Sequence, residues 1–187
     1  MRRYLSLYGA FLLQHFKKLM EYRVNFLIGV ASTIFVQGAG LLAVWVVMSQ
    51  IPSLNGWTFD QVLLIYGFIN LAKSINHMFA DNLWTVGRAY IQPGGFDRFL
   101  VRPLNPLFHL LADRFCQDGI GTFLIGLSLI GKAWSGLGIP VTAWNLVYAA
   151  VAGLSGGLIF VGLNLLTATS AFWIIDSIPV TLAVFQT

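Results

Sequence analysis

Gly94-Gly95-Phe96-Asp97-Arg98-Phe99-Leu100-Val101-Arg102-Pro103-Leu104-Asn105-Pro106, with Arg88 just ahead of it, is a charged, turn-rich island in an otherwise apolar chain. Long uncharged runs lie on both sides of it, so the island belongs in water and the runs belong in lipid. The chain of 187 residues is 57% apolar and only 10% charged, with a mean hydropathy of +0.77. A soluble domain carries about 25% charged residues. The composition therefore predicts an all-α, polytopic membrane protein, with room for roughly four spans of about 20 residues.

Working outward from the island toward the N-terminus, Lys73 interrupts an apolar run from Phe59 to about Phe79. An ionisable residue inside a span marks a functional site. Lys73 also lies roughly 20 Å along the helix from its outer end, so its ammonium can instead snorkel to the cytoplasmic interface. Both readings are open. Asp60 suits the positive end of that helix's dipole. The linker 50–58, with Pro52, Asn55 and Gly56 and no Lys or Arg, is expected outside the cell. Val24 to Ser49 carries no charge, and as a helix it is about 39 Å long, enough to cross a core of about 30 Å with tilt. Gly29, Thr33 and Gln37 fall four apart and form a small or polar seam.

Residues 1–23 repeat Leu5, Tyr8, Leu12, Phe16 and Leu19 at helical spacing, among Arg2, Arg3, Lys17, Lys18 and Arg23. This predicts a cytoplasmic amphipathic helix on the membrane surface, or an extension of the first span, and not a signal peptide.

On the C-terminal side the expected cytoplasmic loop runs over 80–118 and includes Arg88, Arg98, Arg102 and Arg114. With the five basic residues of the N-terminus these make up most of the chain's Lys and Arg, whereas only Lys132 falls in the next outer connection. That asymmetry puts the N-terminus and the loop in the cytoplasm. The third helix is expected to begin near Leu107, because Gly119 to Gly131 alone spans only about 20 Å. Arg114 and Asp118, four apart, can pair there. The fourth span is expected over 142–170, with Ala149, Gly153 and Gly157 every four residues as a helix-packing seam. Asp176 and Pro179 end that run, and 180–187 start a fifth apolar segment.

Several sites are excluded. Gly126 to Ala133 lacks the final Ser or Thr of a phosphate-binding loop and has no strand before it. Gly38-x-Gly40-x-x-Ala43 lies inside a span. His15, His77 and His109 have no metal-ligand spacing, Cys116 is the only cysteine, and the carboxylates form no acid-base pair. The net charge of +4 is spread over helix ends and forms no nucleic-acid face. No covalent chemistry, metal or cofactor is expected in this chain.

Gly95 to Phe108, with Asp97, Arg98, Arg102, Pro103 and Pro106, resembles the G-x-(L/F)-D-x-x-L-x-R-P-(L/V)-x-P segment of permeases of ATP-binding-cassette (ABC) type-2 exporters. The layout of 24–187 is similar to that of such a transmembrane domain. The resemblance implies six spans, a multi-pass location in a bacterial inner membrane, and a cytoplasmic loop that docks onto a separate ATPase holding ATP and magnesium. It implies a second permease, identical or a sister subunit, and residues from about Arg88 to Asn105 as the coupling segment. Such a family continues beyond a fifth span, so the chain is expected to be C-terminally incomplete. Pro103 and Pro106 stiffen the segment and Gly94-Gly95 permits a tight turn. An ordinary topogenic loop is the alternative for this segment. For the whole chain the alternatives are a non-transporting membrane scaffold or assembly factor, and a membrane-embedded enzyme.

Overall fold

A computed structural model describes residues 2–50, 56–174 and 178–186. Most of the linker 50–58 and Asp176 lie outside the described residues. Among those described there are eight α-helices and no strand, as the composition predicts: α1 Arg2–Glu21, α2 Arg23–Gln50, α3 Phe59–Trp84, α4 Asp97–Leu100, α5 Pro106–Ala112, α6 Asp118–Gly136, α7 Ala143–Thr169 and α8 Ile178–Gln186.

Among the described residues three helical stretches are long and apolar enough to cross a membrane: Arg23–Gln50, Phe59–Ile91 and Ala143–Phe172. The second is α3 continued by a π-helical turn over Gly87–Ile91. Four complete spans were expected. The difference is α6, whose 19 residues cover only about 28 Å and whose glycines and end charges dilute its apolarity. The expected third helix from Leu107 is also two pieces. α5 stops at Ala112, and residues 113–117 intervene before α6 begins at Asp118. Polar and bulky residues fill that break, and no proline or glycine marks it.

α3 is the spine of the bundle, packed along α6 on one side and α7 on the other, while α2 lies against α6. Backbones meet at glycines. A Cβ built on Gly126 would lie 2.8 Å from the Leu71 amide nitrogen and 3.0 Å from the Gly67 carbonyl oxygen. No side chain fits there, which brings α3 and α6 into direct backbone contact. On α7, a Cβ on Gly153 would lie 2.6 Å from Leu71 Cδ2, and one on Gly157 2.6 Å from Ile75 Cδ1. Ala149, one step earlier, is half-buried beside Phe68 and Trp134. The polar seam of α2 faces its neighbours: Gly29 approaches Gln117 and Asp118, Thr33 covers Gly121, and Gln37 donates to Asn70 Oδ1 at 2.5 Å.

Buried amides tie the helices to one another. Asn164 on α7 donates to Asn76 Oδ1 at 3.2 Å and to the Ala80 carbonyl at 3.1 Å. Asn82 donates to the Leu110 carbonyl at 2.8 Å, pinning α5 to the end of α3. In lipid such groups have no water to turn to, so interhelical partners are obligatory.

Candidate functional site

The charged island folds into a cap over one end of the bundle. Its local order follows from its residues. Gly94 adopts φ +72, a conformation that glycine reaches without Cβ strain, and its amide bonds the Ile91 carbonyl at 3.0 Å to turn the chain back. Asp97 starts the single turn α4. Asn105 then caps α5: its Oδ1 accepts from Leu107 N at 3.0 Å and Phe108 N at 3.2 Å. Pro106 occupies the first helical position, where its missing N–H costs nothing.

Phe99 is the centre of the cap and is fully buried. Its ring meets Tyr90 edge-on at 5.2 Å and His109 at 4.8 Å, with Phe96 at 5.8 Å. Around it one apolar cluster joins Ala80 and Leu83 of α3, Val86 just beyond it, Leu110 of α5, Ala168 of α7 and Ala171 in the turn that follows α7. Phe96 also packs on Phe172 at 5.1 Å. A displacement of α4 therefore bears at once on the ends of α3, α5 and α7.

The arginines of the island lock this core from outside. Arg98 Nη2 donates to Asp113 Oδ2 at 3.1 Å, and its guanidinium lies 5.1 Å over Tyr90 and 4.7 Å over Phe99. Tyr90 Oη donates to the same carboxylate oxygen at 3.0 Å. Arg102 Nη1 lies 3.1 Å from His109 Nε2. With Arg102 as the donor, His109 accepts as a neutral imidazole. Burial first, and the Arg102 charge second, hold the His109 pKa below its ordinary value. The expected pairing of Arg114 with Asp118 is replaced by that of Arg98 with Asp113. Asp113 faces the cap, while Arg114, on the next face round, opens onto a cleft.

What remains exposed is the tip. Leu100 is 59% exposed and Val101 82%, beside exposed Asp97, Arg102, Pro103 and Leu107. Arg88 is exposed on the π-helical turn, and Gly95 is half-buried against the Tyr90 carbonyl. The sequence singled out the arginines and prolines but missed Phe99, Tyr90 and Asp113. The signal for Phe99 was its place three residues after Phe96, one helical turn away; nothing local marked the other two.

α1 lies against the cap. Tyr4 meets Phe108 edge-on at 4.9 Å, Phe11 lies 6.0 Å from His109, and His15 Nε2 lies 3.4 Å from the Ala112 carbonyl. Lys73 is exposed on α3 and lines a polar cleft between α2, α3 and α6 with His77, Asp81, Arg114 and Asp118. Among the described residues no three His, Cys, Asp or Glu side chains converge as a metal site.

The family model described as ABC-2 family transporter protein matches residues 34–187, which takes in α3 through α8 and the whole cap. No curated protein and no solved structure matches the chain. A match over well more than half of the sequence, on a bundle of apolar helices fit to cross a bilayer, makes this chain a membrane protein of the ABC-2 transporter family.

Proposed function

We propose that the chain is the transmembrane permease subunit of an ABC exporter. A separate ATPase docks on the cap and drives the helices between inward- and outward-facing arrangements. The observation that carries this reading is the contrast within the island: an exposed apolar and basic tip at Leu100, Val101 and Arg102 mounted on the fully buried Phe99. A soluble partner gains by covering such a tip. The core behind it, shared by α3, α5 and α7, passes a push on α4 to two spans as a rigid body. ATP and magnesium belong to the partner, and this chain contributes no catalytic group.

The basic residues of α1 and of the cap lie on one side of the bundle, which supports a cytoplasmic N-terminus in the inner membrane of a bacterium. Alternating access in this class needs a second permease, a copy or a sister, beside the first. Residues from about Arg88 to Asn105 are the coupling segment, with Val101 and Arg102 at the contact and Arg98 holding the tip in place.

The test is a cysteine at Val101 in the full-length gene, crosslinked in native membranes. Capture of an ATP-hydrolysing subunit through that position is the expected result. Recovery of the chain with no nucleotide-binding partner would sink the coupling assignment and favour a membrane scaffold.

A further inference from the structure

A second feature is independent of the cap. Lys73, His77 and Asp81 follow one another at four-residue spacing on α3, and so share one face of that helix. That face, with Thr33 and Gln37 of α2 and with Arg114 and Asp118, encloses a cleft of about 440 Å³. Lys73 stands eleven residues before Trp84, the last residue of α3, about 16 Å along the axis. The cleft therefore reaches from the cap-side end of the bundle into the span.

Its charges are balanced and incompletely used. Lys73 and Arg114 have no ion-pair partner among the described residues, whereas Asp81 lies 3.2 Å from His77 Nδ1. Asp118 sets a carboxylate oxygen against Gly29, leaving it at the cleft wall. Two free cations beside two carboxylates complement a ligand with both signs on adjacent groups, and they disfavour one that is only anionic. The approach is also polar. Arg114, Cys116 and Asp118 line a second cavity, of about 540 Å³, whose far wall is Lys18 and His15 of α1. A charged group entering from the surface helix passes Lys18, Arg114 and Asp118 on the way to Lys73.

We propose that the cleft between α2, α3 and α6 binds a zwitterionic headgroup, a phosphoester beside a protonated amine. Lys73 and Arg114 face the phosphate, and Asp81 and Asp118 face the amine. Basic pockets between membrane helices hold lipid phosphates in this way, and the paired carboxylates add selection for the amine. The site stands whether or not an ATPase drives the chain, so its test reads binding and not transport.

The full chain is taken up in vesicles of equal parts phosphatidylethanolamine and phosphatidylglycerol, released, and weighed by native mass spectrometry with its retained lipid. Phosphatidylethanolamine is expected to be retained about tenfold over phosphatidylglycerol. Asp81→Asn abolishes that preference, Lys73→Gln lowers the retention of both lipids, Lys73→Arg restores it, and Lys132→Gln at the other end of α6 leaves retention and preference intact. Variants are compared only where gel filtration matches the parent, and Asp81→Asn decides if Lys73→Gln fails to fold. Displacement of the bound lipid by soluble glycerophosphoethanolamine identifies a soluble ligand of the same chemistry; resistance to it identifies the membrane lipid. Equal retention of both lipids by the parent chain, an unchanged preference in Asp81→Asn, or undiminished retention of both lipids in Lys73→Gln overturns the site.

Discussion

Arg98 and Asp113, fifteen residues apart, meet at 3.1 Å and close the cap around Phe99, with Arg98 51% exposed and Asp113 29%. The arginine that best fits a docking surface by its place in the motif is in the structure the clasp of that surface. The pair holds α4 against the loop that follows α5, and Tyr90 shares its carboxylate oxygen.

Reversing that clasp is expected to uncouple the cap. Arg98→Glu places two carboxylates together, and ATP-driven export should fall about tenfold or more while insertion and expression stay normal. Asp113→Arg in the same chain should restore a large part of it. As an exposed pair it contributes only about 0.5–1 kcal/mol to stability, readable in a double-mutant cycle. Normal export by Arg98→Glu would sink the coupling role of the segment.

Acid should loosen the same cap. His109 is buried, its pKa is held below 6.5, and it faces Arg102, Arg98 and Asp113, of which only Asp113 pulls the other way. The folded cap therefore binds fewer protons than the unfolded one between the depressed value and 6.5. Its stability is complete above pH about 6.5 and declines as the pH falls through that window. Amide exchange over residues 97–112, corrected for intrinsic rates, should rise severalfold from pH 7.5 to pH 5.5, and His109→Gln should flatten the profile. An equal slope in both proteins would remove His109 as the cause.

The backbone contact of α3 with α6 predicts opposite outcomes for two glycines on one helix. Gly126→Ala drives a methyl toward Leu71 N and Gly67 O, which cannot move aside, and should cost about 1–3 kcal/mol. Gly131→Ala meets nothing within 4 Å and should be neutral or gain up to about 1 kcal/mol from helix propensity. Thermal midpoints in one detergent measure both, and a stable Gly126→Ala would contradict the packing.

Asn164→Ala removes both bonds between α7 and α3, to Asn76 and Ala80. At about 0.6 kcal/mol per interhelical bond in a bilayer, the loss is about 1 kcal/mol. Unfolding in mixed detergent and sodium dodecyl sulfate should show it, together with the same loss in Asn76→Ala only for the shared bond. Additive losses from the two changes would deny the contact.

The bundle was largely legible before the structure. The uncharged run after Arg23 became α2, Thr142 caps α7 by accepting from Asn145 N at 3.3 Å, and Thr58 opens α3 with its amide bonded to Gln61 Oε1 at 2.9 Å. The break at 113–117 was not legible, because it carries no helix breaker; α5 stops where Asn82 and the buried His109 hold it against α3 and the cap. The small-residue spacing of α7 was plain, but the backbone contact at Gly126 lies in a run whose glycine spacing resembles a phosphate loop instead of a packing seam.

Hydropathy is a property of each residue against its solvent, and it sums along the chain. Sequence alone therefore determined that this protein belongs in a membrane and where its long apolar helices α2, α3 and α7 run. The partner of Arg98, the burial of Phe99 and the gathering of Lys73 with Arg114 are properties of pairs far apart in sequence. Only the packing of α3 against α6 and α7 brought them together, because contact at a few ångströms depends on where whole helices come to rest.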